Sequence, residues 1–129
     1  MKKRVTGIGG IFFKSENPEK LRAWYRKHLG IESETWGAVF FWKNEDDKAE
    51  DKPYTAWSAF KEDTQYLNPS TKPFMINYRV ENLKELLIEL EKEGVEILPE
   101  KDSSEYGDFA WIMDLEGNKI ELWQPPVGS

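Results

Sequence analysis

The chain has 129 residues, a net charge of −6 and no cysteine. This composition excludes disulfides, thiolate metal sites and a Cys nucleophile, and it argues against nucleic acid, whose phosphates need a basic surface. With 39% hydrophobic and 14% aromatic residues the chain has enough apolar surface for one core of domain size and is not a disordered segment.

The first 15 residues show no signal-peptide h-region: Met1-Lys2-Lys3-Arg4 leads straight into a Gly-interrupted strand, so a soluble, cytoplasmic protein is expected. The strand runs through Gly10-Ile11-Phe12-Phe13 and ends at Asn17, a residue able to cap a helix. Pro18 then takes the first helical position, where its missing N–H costs nothing. Leu21, Trp24, Tyr25 and Leu29 recur at spacings of three and four, and Gly30 ends the helix. A short strand is expected near Ile31 to Trp36, followed by strands at Ala38 to Trp42 and Tyr54 to Phe60. The acidic stretch Asn44 to Asp51 between them reads as a solvated loop. Lys61 to Pro73, which holds Asn68-Pro69 and two prolines, reads as a linker.

The same series then begins again. A strand at Met75 to Val80 leads to Asn82, and Leu83, Leu86, Leu87 and Leu90 form a helical stripe that stops at Gly94. Strands follow at Val95 to Leu98, Phe109 to Met113 and Lys119 to Trp123. Asn17 and Asn82 are 65 positions apart, as are Gly10 and Met75, and 65 is close to half of 129; the chain reads as two copies of one unit. The last two strands form a hairpin around the turn formers Asp114 to Asn118. Strand alternation sends Ile120 and Leu122 to one face and Lys119, Glu121 and Trp123 to the other.

The tail Asp114 to Pro125, the helix stretch Asn17 to Gly30 and the internal repeat together resemble the vicinal oxygen chelate superfamily, that is, the glyoxalase, bleomycin-resistance and ring-cleaving dioxygenase proteins. The resemblance implies an α+β fold in which two βαβββ modules pair into a curved mixed sheet around a cavity. Residues 1–129 would form a single domain, with module one at about 5–60, a linker at 61–73 and module two at about 74–124. In that family the Glu at the position of Glu121 is commonly a metal ligand. The other ligand positions carry over to Gly10, a residue near Ala56 or Trp57, and Met75. Gly has no side chain and a Met thioether is a soft donor, so only Glu121 matches. A catalytic metal needs about three protein ligands. No metal site and no cofactor are therefore predicted, with a divalent metal left open. His28, the single histidine, falls in the last turn of the first helix and is read as structural.

What remains is an aromatic cavity with one carboxylate. Trp57, Trp111, Glu121, Trp123 and Met75 are the candidate ligand-binding residues, and Glu121 is the candidate catalytic base. Trp111 is left facing either the cavity or the helices, whereas Trp24 and Trp42 read as core or dimer contacts. Glu121 has a plainer alternative, exposure to solvent or pairing with Lys119 or Arg79. Three functions stay open. The favoured one is a binder of a small organic molecule, cationic to suit the acidic chain, as in the bleomycin-resistance branch. The second is a glyoxalase-type lyase or isomerase, or a dioxygenase, using Glu121 as base or metal ligand. The third is an interaction scaffold. Nucleic acid and membrane are not expected partners. Aromatic residues such as Trp36 and Trp42 favour a homodimer, as the family resemblance also does.

Overall fold

Asparagine starts both helices. The computed structural model describes residues 4–42 and 53–126; the acidic stretch Asn44 to Asp51 and the first three residues, Met1 to Lys3, lie outside them. The Asn17 side chain accepts a hydrogen bond from the Lys20 N–H at 3.1 Å at the head of α1 (Pro18–Leu29), with Pro18 in its first turn. Asn82 does the same for the Glu85 N–H at 3.0 Å at the head of α2 (Leu83–Lys92). These bonds satisfy amides that no helical carbonyl can reach. Gly30 ends α1 at φ 70°, a backbone angle that glycine adopts without steric cost. Replacing Asn82 with Ala should therefore lower stability by about 1 kcal/mol, read as an earlier urea midpoint with an unchanged slope. An unmoved midpoint would show that the cap contributes nothing.

The remaining elements are the strands β1 (Val5–Ser15), β2 (Ala38–Phe41), β3 (Tyr54–Lys61), β4 (Phe74–Val80), β5 (Ile97–Ser104), β6 (Gly107–Met113) and β7 (Lys119–Gln124). They form one seven-stranded sheet in the order β2-β3-β1-β4-β7-β6-β5. The pairs β1–β3 and β4–β7 are parallel and the other neighbours antiparallel. The chain is thus an α+β protein with a curved mixed sheet that does not close into a barrel.

Two elements differ from the sequence expectation. The strand expected at Ile31 to Trp36 is absent as such, and Glu34 and Gly37 make a single bridge there. Between Ile31 and Trp36 every residue is polar, and Trp36 is itself exposed, so this segment has no apolar face to bury against the sheet. β5, conversely, continues past Leu98 to Ser104 through Pro99 and four polar or charged residues. It is an edge strand, where a missing amide and outward charges are tolerated.

The two faces of the sheet are differently used. On one, α2 packs Leu83 and Leu86 against Val80, Ala110, Ile112 and Leu122, with Ile120 beside them. α1 covers the β1–β3 half of the same face more thinly, with Trp57 edge-on to Tyr25 and Phe13 and no α1 residue fully buried. Trp24, expected in a core or dimer contact, stands half in water with its ring against Tyr25 and His28. Trp42 is also exposed, and its indole N–H donates to Thr55 Oγ1 at 2.8 Å. On the other face, Leu67, Met75, Leu98 and Trp111 form a second buried cluster. Leu67 belongs to the connection between β3 and β4, which folds back over the sheet instead of looping away from it. Among the described residues no helix is long and apolar enough to cross a membrane.

Candidate functional site

Alternation along β7 divides its residues as the sequence predicts. Ile120 and Leu122 join the α2 core, while Glu121 and Trp123 open onto the opposite face, both almost fully buried. Neighbouring strands supply the partners. β4 lies parallel to β7 with Asn77 opposite Glu121, and β6 lies antiparallel with Trp111 opposite Glu121. The Asn77 amide donates from Nδ2 to Glu121 Oε1 at 2.6 Å, and the Trp111 indole donates to Oε2 at 2.9 Å. The Tyr66 hydroxyl, delivered by the β3–β4 connection, donates to the same Oε2. A buried carboxylate is costly unless its oxygens are hydrogen-bonded, and here three neutral donors meet that need. Burial, followed by the Glu121 charge beside it, pushes the Tyr66 phenol well above its ordinary range, so it stays a protonated donor.

Around this carboxylate lies a cavity of about 450 Å³. Phe109 stacks nearly parallel to Trp123 at 6.2 Å, and Tyr54 tilts against the same indole at 5.4 Å. The Trp123 N–H is held by the Tyr106 carbonyl at 2.7 Å, which fixes the ring. Gly9, Phe12 and Ala56 contribute from β1 and β3, and Asp102, Ser104 and Tyr106 from the far end of β5 and its turn. Two cations stand near but outside the lining. Arg79 lies 5.6 Å from the Trp123 ring, and Lys119 lies 5.3 Å from Tyr66 and 5.5 Å from Trp111. Lys119 also donates to the Tyr66 carbonyl at 2.6 Å, and burial lowers its pKa.

Of the residues singled out from sequence, Trp111, Glu121 and Trp123 lie together in this cavity. Trp57 and Met75 do not line it. On β3 it is Ala56 that faces the cavity, which sends the adjacent Trp57 to the α1 face, against Phe13 and Tyr25. Met75 shares the cavity side of β4, but the Leu67 cluster covers it completely. Glu121 is neither solvent-exposed nor ion-paired with Lys119 or Arg79 in the structure. His28 lies exposed on α1, with its ring 4.8 Å from that of Trp24.

Asn77 and Tyr66 were not among the sequence candidates. Asn77 carried a usable signal, an amide set in the apolar run Phe74-Met75-Ile76 and so in need of a polar partner. Tyr66 carried none, because nothing periodic marks which linker residue turns inward.

The donor set does not fit the divalent metal that the resemblance implies. Position 10 has no side chain, position 56 is Ala, and Met75 is sealed in the core. Glu121 would have to give up bonds to Asn77, Trp111 and Tyr66 to ligate an ion. Among the described residues no group of three His, Asp or Glu side chains is placed to hold one.

No protein-family model matches the sequence, and no curated protein matches it. Solved structures do. A methylmalonyl-CoA epimerase variant from Streptomyces coelicolor, in complex with 2-nitronate-propionyl-CoA, superposes with a TM-score of 0.68 at 16% identity, over 95% of this chain and 99% of that one. Methylmalonyl-CoA epimerase from Mycobacterium tuberculosis gives 0.62 at 20% identity, over 95% and 89%. A chain described as an NAD-dependent benzaldehyde dehydrogenase from Legionella pneumophila gives 0.59 at 15% identity, over 91% and 98%. These neighbours share the vicinal oxygen chelate fold, and at such identities the likeness establishes the fold alone.

Proposed function

We propose that the protein binds a small organic cation in the aromatic cavity beside Glu121. The observation that carries this reading is the charge of the lining. Its ionisable side chains, apart from the tyrosines, are the two acids Glu121 and Asp102. A cation entering the cavity gains the attraction of a carboxylate that has little water around it, and cation–π attraction from Trp123, Tyr54 and Phe109. The acidic chain, at a net charge of −6, adds a long-range field of the same sign. One neighbouring epimerase is named with NH4+ as well, and the organic ligands named for these epimerases are coenzyme A esters. These carry phosphates, and an acid-lined cavity does not suit their charge.

The test is a titration followed by tryptophan emission, since Trp111 and Trp123 both face the site. Benzylammonium should quench or shift that emission saturably and bind at least about tenfold more tightly than neutral benzyl alcohol of the same outline. Equal binding of the two, or no saturable response to either, would remove the cation-binding reading.

A further inference from the structure

The two acids of the cavity lining, Glu121 and Asp102, stand well apart. Strand register puts Asp102 directly opposite Phe109 on β6, and Phe109 opposite Trp123 on β7. Residues paired in this way share a face of the sheet, so Asp102 belongs to the cavity side although β5 is an edge strand. Glu121 lies two residues along β7 from Trp123, on the same side. Two strand spacings across and two residues along set the Cα atoms of Asp102 and Glu121 roughly 12 Å apart. The β6 rings of Phe109 and Trp111, both in the lining, fall between them. The two carboxylates also differ in depth. Glu121 is 2% exposed and held by its three donors, whereas Asp102 is exposed. The β5–β6 ladder fixes Asp102, and the adjacent Ser103 hydroxyl ties the same two strands by donating to Asp108 Oδ1 at 2.6 Å. The Tyr66 phenol, raised first by burial and next by Glu121, feels the Asp102 charge as well, so one hydroxyl lies within electrostatic reach of both acids.

We infer that the cavity selects elongated dications, with an apolar body and an ammonium or amidinium at each end, over monocations of the same length. The inference rests on the cation-binding reading above and names the ligand class within it. Glu121 draws one charge inward, the apolar middle lies on the Phe109 and Trp111 rings, and Asp102 meets the second charge at the rim. A second charge with no acid at the rim would give up water and gain nothing in return.

The experiment measures binding by calorimetry for octylammonium and for octamethylenediamine, the same chain with a second ammonium in place of its end methyl. The diamine should bind the unmodified protein at least about fivefold more tightly. Tetramethylenediamine is too short to reach both acids, so its gain over butylammonium should stay within about twofold. Asp102→Asn keeps the outline of the side chain, and there the long pair should reverse its order, with octylammonium the tighter ligand. If octamethylenediamine binds the unmodified protein no better than octylammonium, the inference falls while cation binding stands. If none of these amines binds, the cation-binding reading falls and takes the inference with it. An equal gain for the short diamine would overturn the inference too, because net charge and not the span between two acids would then decide. A preference for the long diamine that persists undiminished in Asp102→Asn, shown to be folded by its melting curve, would overturn the assignment to Asp102. If that variant does not fold, the two chain lengths on the unmodified protein still decide the matter.

Discussion

Glu121→Gln costs the protein less stability than Glu121→Leu and abolishes its affinity for organic cations. The Gln oxygen can accept from Trp111 and Tyr66 as the carboxylate does. Its NH₂ can donate to Asn77 once that amide turns over, which also occupies the oxygen that now has no partner. Turning over puts Asn77 Nδ2 where its oxygen had no partner, so one buried donor is left without an acceptor, at a cost of about 1–3 kcal/mol. The ligand meets no charge, and its affinity falls by about a hundredfold or more. Glu121→Leu behaves differently. It strands the buried Asn77 Nδ2 and Trp111 Nε1 donors without an acceptor, at about 1–3 kcal/mol each, so it costs about 2–5 kcal/mol of stability and loses binding as well. Paired urea melts and titrations separate the two variants. A Gln variant as unstable as the Leu variant would mean that the charge itself holds the site together.

The largest expected loss of stability comes from the residue next along the strand. Leu122 is 3% exposed and packs among Val80, Leu83, Leu86, Ala110 and Ile112, on the face away from the ligand. Leu122→Ala removes apolar contacts and leaves a cavity that the strand and α2 cannot both move to fill, at a cost of about 2–5 kcal/mol. Domains are commonly stable by about 5–15 kcal/mol, so the urea midpoint should drop by a large fraction, while any folded protein keeps its ligand affinity. A loss below about 1 kcal/mol would show that α2 repacks. A selective loss of binding without loss of stability would mean that the two faces of β7 are not independent.

How much of this could be read from the sequence depends on the kind of signal each residue leaves. The Asn-initiated, Gly-terminated helices and the hairpin at 107–124 were legible because capping chemistry and period-two alternation are local. Alternation alone placed Glu121 and Trp123 on one face and Ile120 and Leu122 on the other. The side chosen by Trp57 was not legible, because neighbouring strand positions differ in face and a shift of one residue exchanges them. The covering of Met75 by Leu67 and the bond from Tyr66 to Glu121 were not legible either. Both are made by a connection whose path over the sheet depends on tertiary packing. The polar tail of β5 was missed for a related reason: strand periodicity reports burial, and an edge strand reaching solvent has little to report. Its Asp102 and Ser104 line the cavity all the same.

β7 comes last in sequence among the described strands, but in the sheet it lies between β4 and β6. During synthesis, residues up to about 118 emerge with β4 and β6 lacking their shared neighbour, each presenting an unpaired edge. Asn77 and Trp111 exist at that stage without the carboxylate they donate to. Adding residues 119–124 closes both edges and completes the site in one step. A fluorescent cation should therefore remain unbound on ribosome-stalled chains ending before this strand and become bound once it has cleared the exit tunnel. In this protein, ligand binding would report that β7 has been added to the sheet.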